Sequence, residues 1–195
     1  AWVFLAVVMV AASASLIAIQ RVNPAVIDER FKPPLQKGQP LGDKLLVLPF
    51  LAAFLGLILF IPLDVFRFRL FEPPGAAISL LGLVLFVAGW WIMAAALAEN
   101  AFAAPVVRHQ TERRQTVVDT GVYGIVRHPM YAGSLLLMTG MPLWLASYAA
   151  LLFALVPITL VAIRIAIEER YLKRELAGYE AYTRTVRYRL IPFVW

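Results

Sequence analysis

Cysteine is absent from this sequence of 195 residues, and histidine occurs only twice. The lack of cysteine excludes a disulfide framework, an iron–sulfur cluster and a thiolate nucleophile, and two histidines are too few for most histidine-built metal sites. Charge is also scarce, because only 15% of the residues are charged, whereas a soluble globular protein carries about 25%. Hydrophobic residues make up 62% of the chain. This composition excludes disorder and an ordinary soluble enzyme, and no metal site is predicted.

Hydrophobic runs free of charge are long enough to cross a bilayer, for which a helix needs about 20 residues. The last run, residues 129–163, is too long for one crossing and contains Ser147 and Tyr148 between two prolines, which indicates a helical hairpin. The sequence therefore predicts a single all-α, polytopic membrane domain over residues 1–195. The five predicted transmembrane helices are residues 1–20, 45–63, 76–98, 130–146 and 148–167.

Basic residues are concentrated in three segments: after the first predicted span, before the hairpin and after the hairpin. These segments hold fifteen of the 18 lysines and arginines, and the net charge is +6. Such segments between apolar runs are typical of membrane-protein loops, so no nucleic-acid partner is predicted. With five spans, all three segments lie on one side, which the positive-inside rule makes cytoplasmic. We therefore expect the N-terminus outside and the C-terminus and active site in the cytoplasm.

Two common classes of nucleotide site are disfavoured. None of the eleven glycines forms a G-x-G-x-x-G pattern, and no Walker-type loop is present. The sequence therefore disfavours a Rossmann-type cofactor site and a nucleoside triphosphatase. A small transporter or helical scaffold is a further alternative, which inverted repeats would favour. The two halves of the sequence show no convincing repeat.

The last predicted span carries an ionisable residue, Arg164, near its cytoplasmic end, and Glu168 follows four residues later. This spacing places both side chains on one helix face. Ionisable residues inside a span are costly and commonly functional. The alternative is an arginine that extends to the interface and pairs with the neighbouring carboxylate.

A second cluster precedes the hairpin, where residues 121–133 read GVYGIVRHPMYAG. A structural explanation is a basic stop signal followed by Pro129 at the first position of a helix, with Tyr123 and Tyr131 in an interfacial aromatic belt. That explanation leaves open why arginine and histidine stand side by side. The cluster is therefore a candidate functional site.

These motifs together resemble the isoprenylcysteine carboxyl methyltransferases and the related phospholipid methyltransferases. The resemblance rests on GVYGIVRHPMYAG, Arg164, the EER of residues 168–170, and the later YEAY and IPF sequences, and it covers residues 100–193. It implies an integral membrane enzyme that takes S-adenosylmethionine from the cytoplasm, releases S-adenosylhomocysteine, and draws a lipophilic acceptor from the bilayer.

The resemblance also implies roles for individual residues. The cofactor-binding residues would be Gln110, Gln115, Thr116, Val117, Val118, Tyr123, His128, Pro129, Met130, Tyr131 and Glu168. Arg108 is an alternative to Gln110. Arg164 matches the arginine that holds a substrate carboxylate, and Arg164 and Glu168 are the predicted catalytic residues.

The acceptor is predicted to be a carboxylate of the prenylcysteine type, because a carboxylate is already ionised at neutral pH and the guanidinium fork of Arg164 matches its shape. An amine-bearing phospholipid is the first alternative, with Glu168 or Glu169 as the base. The second alternative is an NADPH-dependent sterol or enone reductase, in which basic residues at 108, 113 and 114 would bind phosphate. Membrane lipids are expected partners in every case.

Overall fold

Helices account for all the regular secondary structure in residues 2–195, the part of the chain that this computed structural model describes. The α-helices are α1 (Trp2–Val22), α2 (Pro24–Arg30), α3 (Leu41–Leu63), α4 (Ala76–Glu99), α5 (Pro129–Trp144), α6 (Tyr148–Phe153), α7 (Leu155–Glu175) and α8 (Tyr179–Thr185). A π-helical turn, Asp64–Phe68, extends α3, and two 3-10 turns, Thr111–Arg113 and Gly121–Gly124, lie in the segment between α4 and α5. The predicted all-α class is confirmed.

Within residues 2–195, three helical segments are long and apolar enough to cross a membrane: Leu41–Phe68, Ala76–Glu99 and Tyr148–Glu175. They contain the predicted spans 45–63, 76–98 and 148–167. The predicted span 1–20 falls on α1, apart from residue 1, which lies outside the described residues. The predicted span 130–146 falls on α5 but extends two residues too far, because α5 ends at Trp144 and Ala146 has a positive φ. Helix α5 has 16 residues, which corresponds to a length of about 24 Å. The structure therefore supports a multi-pass membrane protein with three candidate spans, and the count of five stays a prediction.

The hairpin predicted near Ser147 is present between α5 and α6. The Ser147 hydroxyl caps α6 by accepting a hydrogen bond from the Ala150 amide, and it donates one of 2.6 Å to the buried carboxylate of Asp64. The break between α6 and α7 follows from Pro157, which has no N–H to donate to the carbonyl four residues earlier, that of Phe153. Local chemistry thus explains both boundaries.

Helices α4 and α5 pack closely because glycines face each other along their contact. A Cβ atom on Gly82 would lie 2.8 Å from the Gly140 carbonyl oxygen, and one on Gly89 would lie 2.5 Å from that of Gly133. Each helix places its two glycines seven residues apart, which puts them on one face. Small residues of this kind let helix backbones approach closely in a membrane.

The helices alternate in direction, so that α3 and α5 begin at the end of the bundle where α4 and α7 finish. We call this the cavity end, because residues from all four helices line a cavity there. The opposite end, which we call the far end, contains Asp64 and the α5–α6 hairpin. Between them lies a hydrophobic core that includes Leu57, Phe86, Met138 and Ile165.

Candidate active site

The cavity has a volume of about 270 Å³, and its lining includes residues of the segment between α4 and α5, of the end of α7, and of α8. Most of the predicted site residues line it together. These residues are Gln115, Thr116, Val117, Val118, Tyr123, His128, Pro129, Met130, Tyr131, Arg164 and Glu168. The structure thus brings together side chains that are more than 50 residues apart in the sequence.

Gln110 has a different position from the other predicted cofactor ligands, since it is buried but does not line the cavity. Its side-chain amide donates to the Phe102 carbonyl over 2.7 Å, and its amide oxygen accepts from Arg113 over 2.8 Å. Its backbone N–H donates to the side chain of Gln115. These bonds fix the loop that carries residues 115–118. Arg108, the alternative to Gln110, does line the cavity.

Residues 127–129, which read RHP and are called the RHP motif below, join the C-terminal segment to the start of α5. The Arg127 guanidinium donates to the backbone carbonyls of Val186 and Arg187, each over 2.7 Å. The backbone N–H of Arg127 donates to Tyr188, and that of His128 donates to Arg189. The side chain of Arg127 and the backbone of both residues thus anchor a distant part of the chain.

Glu169 gathers three basic side chains behind the cavity. Its carboxylate accepts from Arg127 Nε over 2.6 Å and from Arg189 Nε over 2.8 Å, and it lies 3.3 Å from His128 Nε2. Glu169 is buried. From the sequence, Glu169 was a possible base for an amine acceptor, and its role in this cluster was not predicted. Its position beside Glu168 in the EER motif was the available signal, because adjacent helical residues point in different directions.

Glu168 faces the cavity, where its carboxylate accepts a hydrogen bond of 2.7 Å from the Tyr131 hydroxyl. Among the residues that the structure describes, Glu168 takes part in no ion pair. Two neighbouring glutamates therefore differ, since Glu169 neutralises cations and Glu168 leaves a carboxylate available at the cavity wall.

Arg164 is buried, and its partner is Asp43 rather than Glu168. Arg164 Nε donates to Asp43 Oδ1 over 2.7 Å, and Arg164 Nη2 donates to the Pro105 carbonyl over 2.6 Å. The guanidinium also lies 5.9 Å from the centre of the Tyr131 ring. Asp43 was not predicted, because an acidic residue in the first turn of a helix is ordinarily explained by the helix dipole.

Two tyrosines of α8 complete the wall. The Tyr182 hydroxyl donates to the Tyr123 carbonyl over 2.7 Å, whereas the buried Tyr179 hydroxyl has no hydrogen-bond partner among the described residues. Burial raises the pKa of both phenols above the ordinary value, so both stay protonated donors at neutral pH. Both belong to the YEAY sequence, to which sequence analysis gave no role in the site.

Arg108 lines the cavity and forms an ion pair with Glu29 of α2, which we call the clamp between α2 and Arg108. It donates to Glu29 over 3.2 Å and to Glu112 over 2.6 Å, and Lys32 pairs with Glu29 as well. Although burial alone would raise the pKa of Glu29, the hydrogen bonds from Lys32 and Arg108 outweigh it and hold this pKa below its usual range. Arg108 Nε is buried without a partner among the described residues.

Comparison with known proteins identifies one family. The sequence model of the phospholipid methyltransferase family matches residues 77–177, just over half of the chain, which extend from α4 to the end of α7. No protein with a curated description matches the chain. The match supports a methyltransferase and gives no support to the reductase alternative, and it leaves the prenylcysteine acceptor a prediction. The chain therefore belongs to the phospholipid methyltransferase family, whose members are membrane enzymes that transfer methyl groups from S-adenosylmethionine to lipid substrates.

Proposed function

We propose that the cavity binds S-adenosylmethionine beside the headgroup of an amine-bearing phospholipid and that the enzyme methylates the headgroup nitrogen. The observation that carries this proposal is the charge state of the cavity wall. Arg108, Arg127 and Arg164 are each paired with a carboxylate, whereas Glu168 is not paired with a cation. Among the described residues that line the cavity, the charged side chains without an ion pair are thus one carboxylate, Glu168, and one guanidinium, Arg30, which suits a headgroup that carries both an ammonium and a phosphate.

The residues around the cavity fit the cofactor. S-adenosylmethionine presents a carboxylate, ribose hydroxyls and an adenine, all of which accept hydrogen bonds. The Tyr179 hydroxyl and Arg108 Nε are buried donors without a partner among the described residues, and a buried unpaired donor is costly unless a ligand uses it. Residues 115–118 and 128–131 would enclose the rest of the molecule. When bound, the cofactor supplies an electrophilic methyl group on its sulfonium sulfur.

A zwitterionic headgroup needs a cation as well as an anion in the wall. Arg30 lines the cavity from α2, and it forms no ion pair among the described residues. Arg30 is therefore our candidate for the lipid phosphate, with Glu168 at the amine. Guanidinium groups suit phosphate oxygens because their donors form a planar fork.

Glu168 would act as the base. A primary ammonium has no free electron pair, so its proton must leave before nitrogen can attack the methyl carbon. In this step Glu168 accepts the proton, the new N–C bond forms, and the electron pair of the breaking C–S bond goes to sulfur. Tyr131 fixes the Glu168 carboxylate by its hydrogen bond, which holds the base at the cavity wall.

A carboxylate of the prenylcysteine type is the second candidate acceptor. It is favoured by Arg164, whose guanidinium lines the cavity. A carboxylate is already ionised and needs no base. The two acceptors therefore differ in their dependence on Glu168 and on pH.

The test is transfer of a labelled methyl group by the purified protein in nanodiscs to phosphatidylethanolamine or to a prenylated thioether acid. We expect methylation of the amine lipid, with a rate that rises with pH as the ammonium loses its proton. Glu168→Gln should lower turnover by about 10²-fold or more, whereas Glu175→Gln, an exposed change on the same helix, should leave it unchanged. Methylation of the acid alone, with Glu168→Gln active, would contradict the proposal.

We also propose that the cavity end faces the cytoplasm, because the three basic segments of the positive-inside argument belong to it. The chain has no cysteine, so single cysteines can be placed at Gln36, Thr111 and Thr183. Each should resist an impermeant maleimide applied to intact cells and react after permeabilisation. Labelling of any of them from outside would overturn this orientation.

A further inference from the structure

Asp43 competes with Glu168 for the same arginine. Arg164 and Glu168 are one helical turn apart and both line the cavity, a spacing that ordinarily favours an ion pair between them. The structure instead pairs Arg164 with Asp43 and leaves Glu168 with the Tyr131 hydroxyl. We infer that Asp43 is a positioning residue that determines which acceptor charge the cavity admits, by holding Arg164 away from Glu168. This inference rests on the proposed amine acceptor.

The position of the Asp43 carboxylate is fixed before any ligand binds. Asp43 is fully buried, and its Oδ2 accepts hydrogen bonds from Gln39 over 2.6 Å and from the Val107 backbone over 2.9 Å. Its Oδ1 is thereby presented to Arg164. Charge-assisted bonds in such dry surroundings are strong. The preorganised carboxylate therefore holds the arginine without the loss of side-chain freedom that a flexible glutamate would incur.

Removal of the Asp43 charge should redirect Arg164. A buried guanidinium without a counterion is strongly unfavourable, and Glu168 is the carboxylate within reach on the same helix face. An Arg164–Glu168 pair would consume the carboxylate that the amine needs. The net charge around the cavity would thereby become one unit more positive, which disfavours an ammonium and favours an anion.

Asp43 lies outside residues 77–177, the part of the chain that matches the family. It belongs to the first turn of α3, 121 residues before its arginine. The acceptor preference of the matched half would thus depend on a residue of the other half.

The experiment compares Asp43→Asn with wild type in nanodiscs that contain phosphatidylethanolamine and a free fatty acid. The measured quantity is the ratio of methyl transfer to the amine over transfer to the carboxylate. We expect this ratio to fall by about tenfold or more in Asp43→Asn, with the affinity for S-adenosylhomocysteine nearly unchanged. Asp28→Asn, an exposed change on α2, is the matched control and should leave the ratio as in wild type.

A double variant, Asp43→Asn with Arg164→Gln, separates charge from structure. It removes both members of the pair and leaves Glu168 free, so we expect the amine preference to return. A ratio in the double variant as low as in Asp43→Asn would overturn the inference, as would an unchanged ratio in Asp43→Asn.

If Asp43→Asn does not fold, the double variant and Asp43→Glu must both keep the wild-type ratio, and loss of the preference in either contradicts the inference. The wild-type ratio itself tests the proposed function, whereas the change between variants tests Asp43.

Discussion

The two ends of the helix bundle satisfy their buried acids in different ways. At the cavity end, Glu169 and Asp43 neutralise arginines that come from distant segments. At the far end, Asp64 is equally buried, yet among the described residues its carboxylate accepts from two neutral groups, the Ser147 hydroxyl and the Leu70 N–H, and from no cation. At the cavity end, buried carboxylates therefore fix the positions of arginines, whereas at the far end the Asp64 carboxylate fixes the α5–α6 hairpin. We expect substitutions at the cavity end to alter cofactor binding and methyl transfer, and substitutions at the far end to alter only the stability of the fold.

The largest effect is expected for Glu169→Gln at the cavity end. This change removes the charge that Arg127, His128 and Arg189 share, and breaking a buried ion pair typically costs about 3–5 kcal/mol. We expect a large fall in melting temperature in detergent and loss of S-adenosylhomocysteine binding by calorimetry. Wild-type values for both would show that the cluster does not support the cavity.

An intermediate effect is expected for Gly140→Ala, towards the far end. The added Cβ would lie 2.6 Å from both the Gly82 carbonyl oxygen and the Phe86 backbone nitrogen, and such overpacking costs about 1–3 kcal/mol. The melting temperature should fall while the folded variant keeps its affinity for S-adenosylhomocysteine. A loss of affinity without a loss of stability would contradict the separation of the two ends.

A smaller effect is expected for Ser147→Ala. It removes the cap of α6 and the hydroxyl donor to Asp64, and losses of this kind cost about 1–2 kcal/mol. Asp64→Asn weakens the same hydroxyl–carboxylate contact but leaves the cap in place, so the thermal shift of the combined variant should be smaller than the sum of the two single shifts. Fully additive shifts would show that the two side chains act independently.

The smallest effect is expected for Glu29→Gln, which loosens the clamp between α2 and Arg108. Because the pKa of Glu29 is lowered in the folded protein, its contribution is present above the ordinary carboxyl pKa and is lost as the pH falls through the lower, folded value. Glu29 itself is buried, but Lys32 lies in solvent and Arg108 keeps Glu112 as a second partner, so we expect a loss of about 1 kcal/mol. The melting temperatures of wild type and variant should therefore differ slightly at neutral pH and converge in acid. A difference that grows in acid would contradict this sign.

The sequence predicts those parts of the molecule that depend on local chemistry. Apolar runs give the three candidate spans, and Ser147 gives the hairpin, because caps and prolines act within one turn. The RHP motif and Glu168 were placed by resemblance, and they do line one cavity. Asp43 was not predicted, since spacing along a helix favours Glu168 as the partner of Arg164. Only the folded chain brings a carboxylate from α3 into competition for that arginine.

The central claim is that methyl transfer takes place at the cavity end, and photoaffinity labelling tests it directly. Radiolabelled S-adenosylmethionine is irradiated with the protein in nanodiscs, and the labelled peptides are identified by mass spectrometry. Label should appear within residues 115–131 or 164–182, and excess unlabelled S-adenosylhomocysteine should abolish it. Specific label confined to residues 64–82 or 140–150, at the far end, would contradict the claim.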